Sequence, residues 1–167
     1  MPPRGFTLIE LMVALAVVAV LATIAYPSFT QVIRSNRVAT AANELVASVA
    51  LARHTAIRNT HGAGVCASAN GTSCGSNWSR GFLIWEDIDG DSTLDGGELV
   101  LRFVQGPAQM QLTGTANRFA FDRRGRLKNA TNVTFGLQPS ECGGQELRRT
   151  FVINASGQMR TTRGACL

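Results

Sequence analysis

The sequence predicts an α+β protein, in which a long N-terminal helix lies under a C-terminal head of antiparallel β-sheet. Three observations support this fold class. An uncharged apolar run extends from Leu11 to Tyr26, apolar residues then recur at helical spacing to about Arg58, and short β-type segments follow from Val65 onward. A helix followed by many strands is typical of an α+β domain with its sheet packed on the helix.

The apolar run predicts a membrane-spanning helix over residues 6–27. From Phe6 to Tyr26 a helix would rise about 30 Å, which matches the hydrocarbon thickness of a bilayer. Its unusual feature is Glu10, because a carboxylate inside an apolar segment is costly and indicates a specific partner. The alternative is a plain signal anchor with an isolated Glu. However, the small residue Gly5 precedes the apolar core, so cleavage there would leave the helix attached.

Residues 28–60 predict an amphipathic continuation of the same helix. Apolar side chains such as Val32, Leu45 and Val49 recur at steps of three and four, and arginines fall mainly between them. We therefore expect one helix from Phe6 to about Arg58, with two separate helices as the alternative. Residues 59–64 contain Asn and Gly residues that suit the exit loop after the helix.

Residues 61–167 predict a β-rich head with seven strands. Each segment combines β-branched or aromatic residues with turn residues at its ends. The predicted strands are Gly81 to Trp85, Leu99 to Val104, Gln109 to Leu112, Arg118 to Phe121, Val133 to Leu137, Arg149 to Ile153 and Gln158 to Thr161.

Four cysteines in this head predict disulfides. Four cysteines allow three pairings, and the local pairings, Cys66 with Cys74 and Cys142 with Cys166, are favoured. A zinc site is the competing interpretation. It is disfavoured because the sequence has no Cys-x-x-Cys and its two histidines lie far from most of the cysteines.

The acidic stretch from Asp87 to Glu98 has the ligand spacing of a calcium loop. Oxygen-bearing side chains fall at positions one, three, five, seven, nine and twelve, and these are Asp87, Asp89, Asp91, Thr93, Asp95 and Glu98. The sixth position is Ser92 where such loops use Gly, and the flanks predict strands instead of helices. A structural Ca²⁺ and a purely polar hairpin loop are therefore both open interpretations.

A basic group of residues follows the acidic stretch. Its candidate DNA-binding members are Arg123, Arg124, Arg126, Lys128, Arg160 and Arg163. Clustered Lys and Arg side chains can hold phosphate backbones, although a solvated hairpin on a basic protein is the simpler interpretation. The sequence has no nucleophile elbow, phosphate-binding loop or His-Glu-x-x-His helix, so we expect no enzyme activity and no required cofactor.

Gly5-Phe6-Thr7-Leu8-Ile9-Glu10 resembles the processing signature of the type IV prepilin and pseudopilin family. The resemblance implies that residues 1–5 are a leader, that prepilin peptidase cuts between Gly5 and Phe6, and that the amine of Phe6 is methylated. It implies that Glu10 pairs with the N-terminal amine of a neighbouring subunit. It further implies a single-pass protein of the bacterial inner membrane with its head in the periplasm. Its partners would be other pilins or pseudopilins and the inner-membrane assembly platform.

The layout from Arg80 to Glu98 resembles the H-type pseudopilin and FimT/FimU minor pilin branch of this family. The resemblance implies a subunit of a type IV pilus or a type II secretion pseudopilus, with a role in priming or at the tip. Some FimT-type members bind DNA during natural transformation through a C-terminal Gly-Arg-x-Arg motif. The corresponding stretch is Gly157-Gln158-Met159-Arg160, in which Gln158 replaces the first Arg.

Overall fold

The computed structural model describes Gly5 and residues 7–167, so Met1–Arg4 and Phe6 lie outside the described residues. Of the predicted processing site, only Gly5 is described. The described residues form one α-helix, one short 3-10 helix (Trp78–Arg80) and eight strands, and the chain divides into two compact units between Asn36 and Arg37. The elements are α1 (Leu8–Asn59), β1 (Gly62–Ala67), β2 (Gly81–Asp87), β3 (Val100–Gln105), β4 (Met110–Gly114), β5 (Arg118–Phe121), β6 (Val133–Pro139), β7 (Arg148–Ile153) and β8 (Met159–Gly164).

In the N-terminal unit, α1 begins with a side-chain cap. The Oγ1 atom of Thr7 accepts a hydrogen bond from the backbone N of Glu10 at 3.3 Å, which satisfies one of the free donors of the first turn. Large apolar side chains of this unit, from Leu8 (79% exposed) to Phe29 (66% exposed), are not covered by the chain itself. α1 is long and apolar enough to cross a membrane.

The second unit, residues 37–167, is called the head unit below. It contains the end of α1 and two four-stranded antiparallel sheets, with strand orders β3-β2-β1-β5 and β4-β6-β7-β8. A buried stripe of small and medium-sized side chains runs along this part of α1 at steps of three and four, and its members are Val38, Ala42, Leu45, Val49, Ala52 and Ala56. They share one core with Phe121 of the first sheet and Phe135 and Phe151 of the second. The predicted α+β fold and the predicted single long helix are therefore confirmed.

All seven predicted strands are present, with ends that differ by a few residues. The prediction of a loop up to Gly64 was wrong, because Gly62–Ala67 form β1 at the centre of the first sheet. Its glycines fit there for steric reasons. A Cβ atom on Gly64 would lie 2.1 Å from the indole of Trp85, which is its partner in the β1–β2 ladder. The absence of a side chain on β1 therefore makes room for a large one on β2.

Both predicted disulfides are present, Cys66–Cys74 and Cys142–Cys166. Cys66 lies on the face of the first sheet that points away from α1, in a small second cluster with Leu83 and Trp85. The other disulfide joins the segment after β6 to the residues that follow β8. In the described part of the chain no cysteine is free, so a zinc site that uses them is excluded.

Candidate functional site

The acidic stretch forms the β2–β3 connection, and its first residue is the most deeply buried. Asp87 ends β2 and is fully buried, whereas Asp89 and Asp91 are exposed. One carboxylate oxygen from each of the three lies within 4.8 Å of the others, so three of the predicted calcium ligands come together. Asp95 and Glu98 are not part of this group.

Hydrogen bonds within the connection explain its conformation. Asp91 Oδ1 accepts from the backbone N of Thr93 at 2.6 Å, and the two carboxylate oxygens of Glu98 accept from the backbone N atoms of Ile88 (2.8 Å) and Asp95 (3.1 Å). Glu98 therefore joins the two ends of the loop. Ser92, at the position where calcium loops use Gly, has a φ of 67°. The left-handed backbone of this sharp turn is thus formed without glycine.

A cation already faces the acidic group, and it is the ammonium of Lys128. Its Nζ donates to Oδ2 of Asp87, while Oδ1 of Asp87 accepts from the backbone N of Ser92 at 3.2 Å. A fully buried carboxylate needs such a partner, because an isolated buried charge is strongly disfavoured. The structure therefore places Lys128, a candidate DNA-binding residue, in an ion pair with a candidate calcium ligand.

The basic hairpin, residues 122–126, lies directly after β5 and is organised by one carboxylate. Asp122 Oδ1 accepts from the backbone N atoms of Arg124 and Arg126, and Oδ2 accepts from Nε (3.0 Å) and Nη2 (2.9 Å) of Arg126. Desolvation raises the pKa of Asp122, but the hydrogen bonds from Arg126 and Arg124 outweigh it and hold that pKa below its usual value. Arg126 is thus paired, whereas Arg123 and Arg124 are exposed and form no ion pair within the described chain.

The junction that holds this hairpin in place was not predicted from the sequence. Arg53 of α1 donates from Nε to the carbonyl of Gly125 at 2.9 Å and from Nη2 to the carbonyl of Ser156 at 3.4 Å, so it joins the basic hairpin to the β7–β8 turn. Gly125 and Gly157 both have positive φ, and a Cβ atom on Gly157 would lie 2.1 Å from the Gly125 carbonyl oxygen. Contacts between residues more than 70 positions apart in the sequence leave no local signal, although the two turn glycines were visible.

The two C-terminal candidate arginines lie on opposite faces of β8. Arg160 is opposite Val152 in the β7–β8 ladder, and Arg163 is opposite Arg149. Side chains alternate between faces along a strand, so an odd separation of three residues puts Arg160 and Arg163 on different sides of the sheet. The six predicted DNA-binding residues therefore do not form one continuous basic face.

An exposed apolar N-terminal helix that continues into a two-sheet head defines a pilin-like subunit. A model of the prokaryotic N-terminal methylation motif matches residues 2–26, and the model of the type II transport protein GspH family matches residues 41–157. The chain belongs to the GspH family. Proteins of the pilin and pseudopilin families are structural subunits, so the chain is not an enzyme.

Solved structures with the same fold come from both type IV pili and type II secretion. The type IV minor pilin FimU of Pseudomonas aeruginosa is 21% identical, with a TM-score of 0.59 over 76% of this chain and 89% of FimU. The minor pseudopilin EpsH from the type 2 secretion system of Vibrio cholerae is 15% identical, with a TM-score of 0.53 over 74% of this chain and 94% of EpsH. No curated protein sequence matches the chain significantly.

Proposed function

We propose that the chain is processed by prepilin peptidase between Gly5 and Phe6. We propose that it then assembles as a priming or tip subunit of a type IV pilus or a type II secretion pseudopilus. The observation that carries this proposal is the uncovered apolar surface of α1, most of which lies within residues 2–26 that match the methylation motif. Such a surface is stable in lipid, with the chain as a single-pass protein of the bacterial inner membrane and its head in the periplasm. In a filament, the helices of other pilins or pseudopilins cover the same surface after delivery by the assembly platform.

Glu10 supports the assembly step. It is exposed in the first turn of α1 among exposed apolar side chains, and its carboxylate has no ion pair within the described part of the chain. When lipid or other helices surround it, a carboxylate requires a cationic partner. The amine that cleavage creates at Phe6 of a neighbouring subunit has the right charge. Cleavage and assembly are therefore chemically linked.

Intact-mass and N-terminal fragment spectra test the processing step. We expect wild-type protein from cells with prepilin peptidase to begin at Phe6 and carry one added methyl group, and protein from cells without the enzyme to retain Met1. Gly5→Val should block cleavage in the strain that has the peptidase, because the small residue at the site is lost. Gly96→Val is the control, since nothing lies within 4 Å of a Cβ atom there. A wild-type chain that keeps its leader in the presence of the peptidase would contradict the proposal.

Glu10→Gln tests the assembly step separately. The variant keeps the length and the polar cap of the helix but removes the charge, so we expect normal cleavage and a loss from the sheared filament fraction. Glu146→Gln, which changes an exposed acid of the head unit, should leave incorporation unchanged. Filaments that incorporate Glu10→Gln at the wild-type level would show that no carboxylate–amine pair is needed.

DNA binding for uptake in natural transformation is a second candidate function. The favouring observation is the Arg53 junction, which holds the basic hairpin with exposed Arg123 and Arg124 against the turn that precedes Arg160. A gel shift of the full chain in detergent tests it at several salt concentrations. We expect binding that weakens with salt and is lost in Arg123→Met plus Arg124→Met, with Arg58→Met as the control. Equal binding by both variants, or none at low salt, would leave a purely structural subunit.

A further inference from the structure

Arg149 is a charged residue on the inner face of a strand. Along β7, Arg149, Phe151 and Ile153 alternate with more exposed residues, and all three are buried. Arg149 is only 8% exposed. Within the described residues its guanidinium makes one hydrogen bond, from Nη1 to the carbonyl of Arg148 at 3.3 Å, so most of its five N–H donors have no acceptor there.

The nearest charge makes this burial more costly, because it is another cation. Arg163 is directly opposite Arg149 in the β7–β8 ladder. Desolvation and, to a smaller extent, the charge of Arg163 lower the pKa of the Arg149 guanidinium. No carboxylate among residues 7–167 forms an ion pair with either arginine. Buried charges in proteins are normally paired, and no described carboxylate supplies a counter-ion to the buried Arg149 or to the exposed Arg163 beside it.

A cavity of about 260 Å³ lies where that counter-ion would be. α1 lines it with Asn43 and small or medium-sized apolar side chains, and the strands line it with Arg149, Arg163, Thr161 and Phe151. The cavity thus combines two guanidinium groups and an amide with an apolar wall. A single carboxylate or phosphate group fits this volume, and its paired oxygens match the planar fork of a guanidinium.

We propose that this cavity, between α1 and the β7–β8 edge, is a binding site for one oxyanion group, a carboxylate or a phosphate. Arg149 holds the anion from the floor and Arg163 from the rim, and Asn43 can donate from the helix. The physical benefit is direct: the anion neutralises two facing cations and accepts from guanidinium donors of Arg149 that have no acceptor within the described residues. An acidic side chain of an assembly partner and free phosphate are two sources of this same chemistry.

Thermal unfolding of the full chain in detergent tests the site. Emission from the buried Trp78 and Trp85 reports on the head unit. The probes are glutarate, as a stand-in for an acidic side chain, and inorganic phosphate, each added at constant ionic strength against sodium chloride. We expect a saturable rise in Tm with at least one probe, because a ligand that binds only the folded state stabilises it. A rise with glutarate alone indicates a carboxylate, and a rise with phosphate alone indicates a phosphate.

Three matched substitutions separate this site from general salt effects. Arg149→Met should abolish the rise, and its Tm without a probe should stay equal or increase, since a buried unpaired charge is replaced by an apolar side chain of similar length. Arg163→Met should reduce the rise. Arg160→Met, on the same strand but on the other face, should keep it. The proposal is overturned if neither probe raises the wild-type Tm, or if Arg149→Met and Arg163→Met both respond as fully as the wild type.

Discussion

Replacing Lys128 by Met removes the cation that faces a fully buried carboxylate. Asp87 is 0% exposed, and the side chain of Lys128 is 20% exposed. After the substitution, one side-chain hydrogen bond of Asp87 remains within the described residues: Oδ1 accepts from the backbone N of Ser92 at 3.2 Å. Removing one partner of a buried ion pair costs about 3–5 kcal/mol. Because Ser92 remains and Lys128 is partly solvated, we expect the lower end of that range, about 3 kcal/mol.

This loss is large enough to measure by two methods. For a chain of this size, a loss of about 3 kcal/mol lowers Tm by roughly 6–12 °C. Urea unfolding, followed by the emission of the buried Trp78 and Trp85, measures the free energy of unfolding of the head unit. Arg123→Met is the control, because it removes the same charge from an exposed position of the neighbouring hairpin.

A double-mutant cycle isolates the interaction itself. If the pair is buried and coupled, Asp87→Asn plus Lys128→Met should cost clearly less than the sum of the two single substitutions, since no buried charge is left without a partner. A loss below about 1 kcal/mol for Lys128→Met, which is the range of exposed pairs, would refute the reasoning. Additive losses in the cycle would refute it as well.

Three further predictions follow from the head unit. Calcium should raise the Tm of Lys128→Met more than that of the wild type, because the ammonium no longer competes for Asp87. If the Tm of the variant is the same in Ca²⁺ as in EDTA, the loop does not bind this cation. Gly64→Ala should cost about 1–3 kcal/mol by urea unfolding through its clash with Trp85, whereas Gly96→Ala, in open space, should not. The lowered pKa of Asp122 should make the wild type lose stability as pH falls below the usual value of 3.8. A depressed pKa contributes its full stability only above the pKa of the unfolded state. Asp122→Asn should therefore be less stable than the wild type near neutral pH and should lose less stability in acid. Parallel curves of unfolding free energy against pH for the two proteins would contradict this.

The alternation of apolar and polar residues predicted most of this fold because it reflects which face of each element is buried. The stripe from Ala42 to Ala56 was visible as a helical repeat, and β7 was visible as a strand. β1 was missed because Gly is depleted in strands, so Gly62 and Gly64 read as an exit loop. Their place in the sheet depends on Asp87 and Trp85, which are more than 20 residues away.

The charged residues of the candidate sites were predicted from the sequence, but the ion pairs between them were not. Three residues of the predicted calcium-ligand spacing, Asp87, Asp89 and Asp91, lie together in the structure. It could not show that Lys128, 41 positions from Asp87, reaches into the same group. The burial of Arg149 was also hidden, because an arginine at an inward strand position contradicts the expected pattern. Charge composition therefore locates candidate regions, whereas tertiary contacts decide which charges are available to a ligand.

The disulfide between Cys142 and Cys166 makes the completion of the head unit depend on the redox conditions around it. It covalently ties the residues after β8, an edge strand with neighbours on one side only, to the segment after β6. In a reducing compartment this restraint is absent, and an edge strand that is paired on one side only separates more easily than a central strand. Arg163 would leave the β7 edge with it. The second guanidinium of the cavity would then be in place only once the disulfide has formed, so oxidation of the cysteines comes before a finished surface.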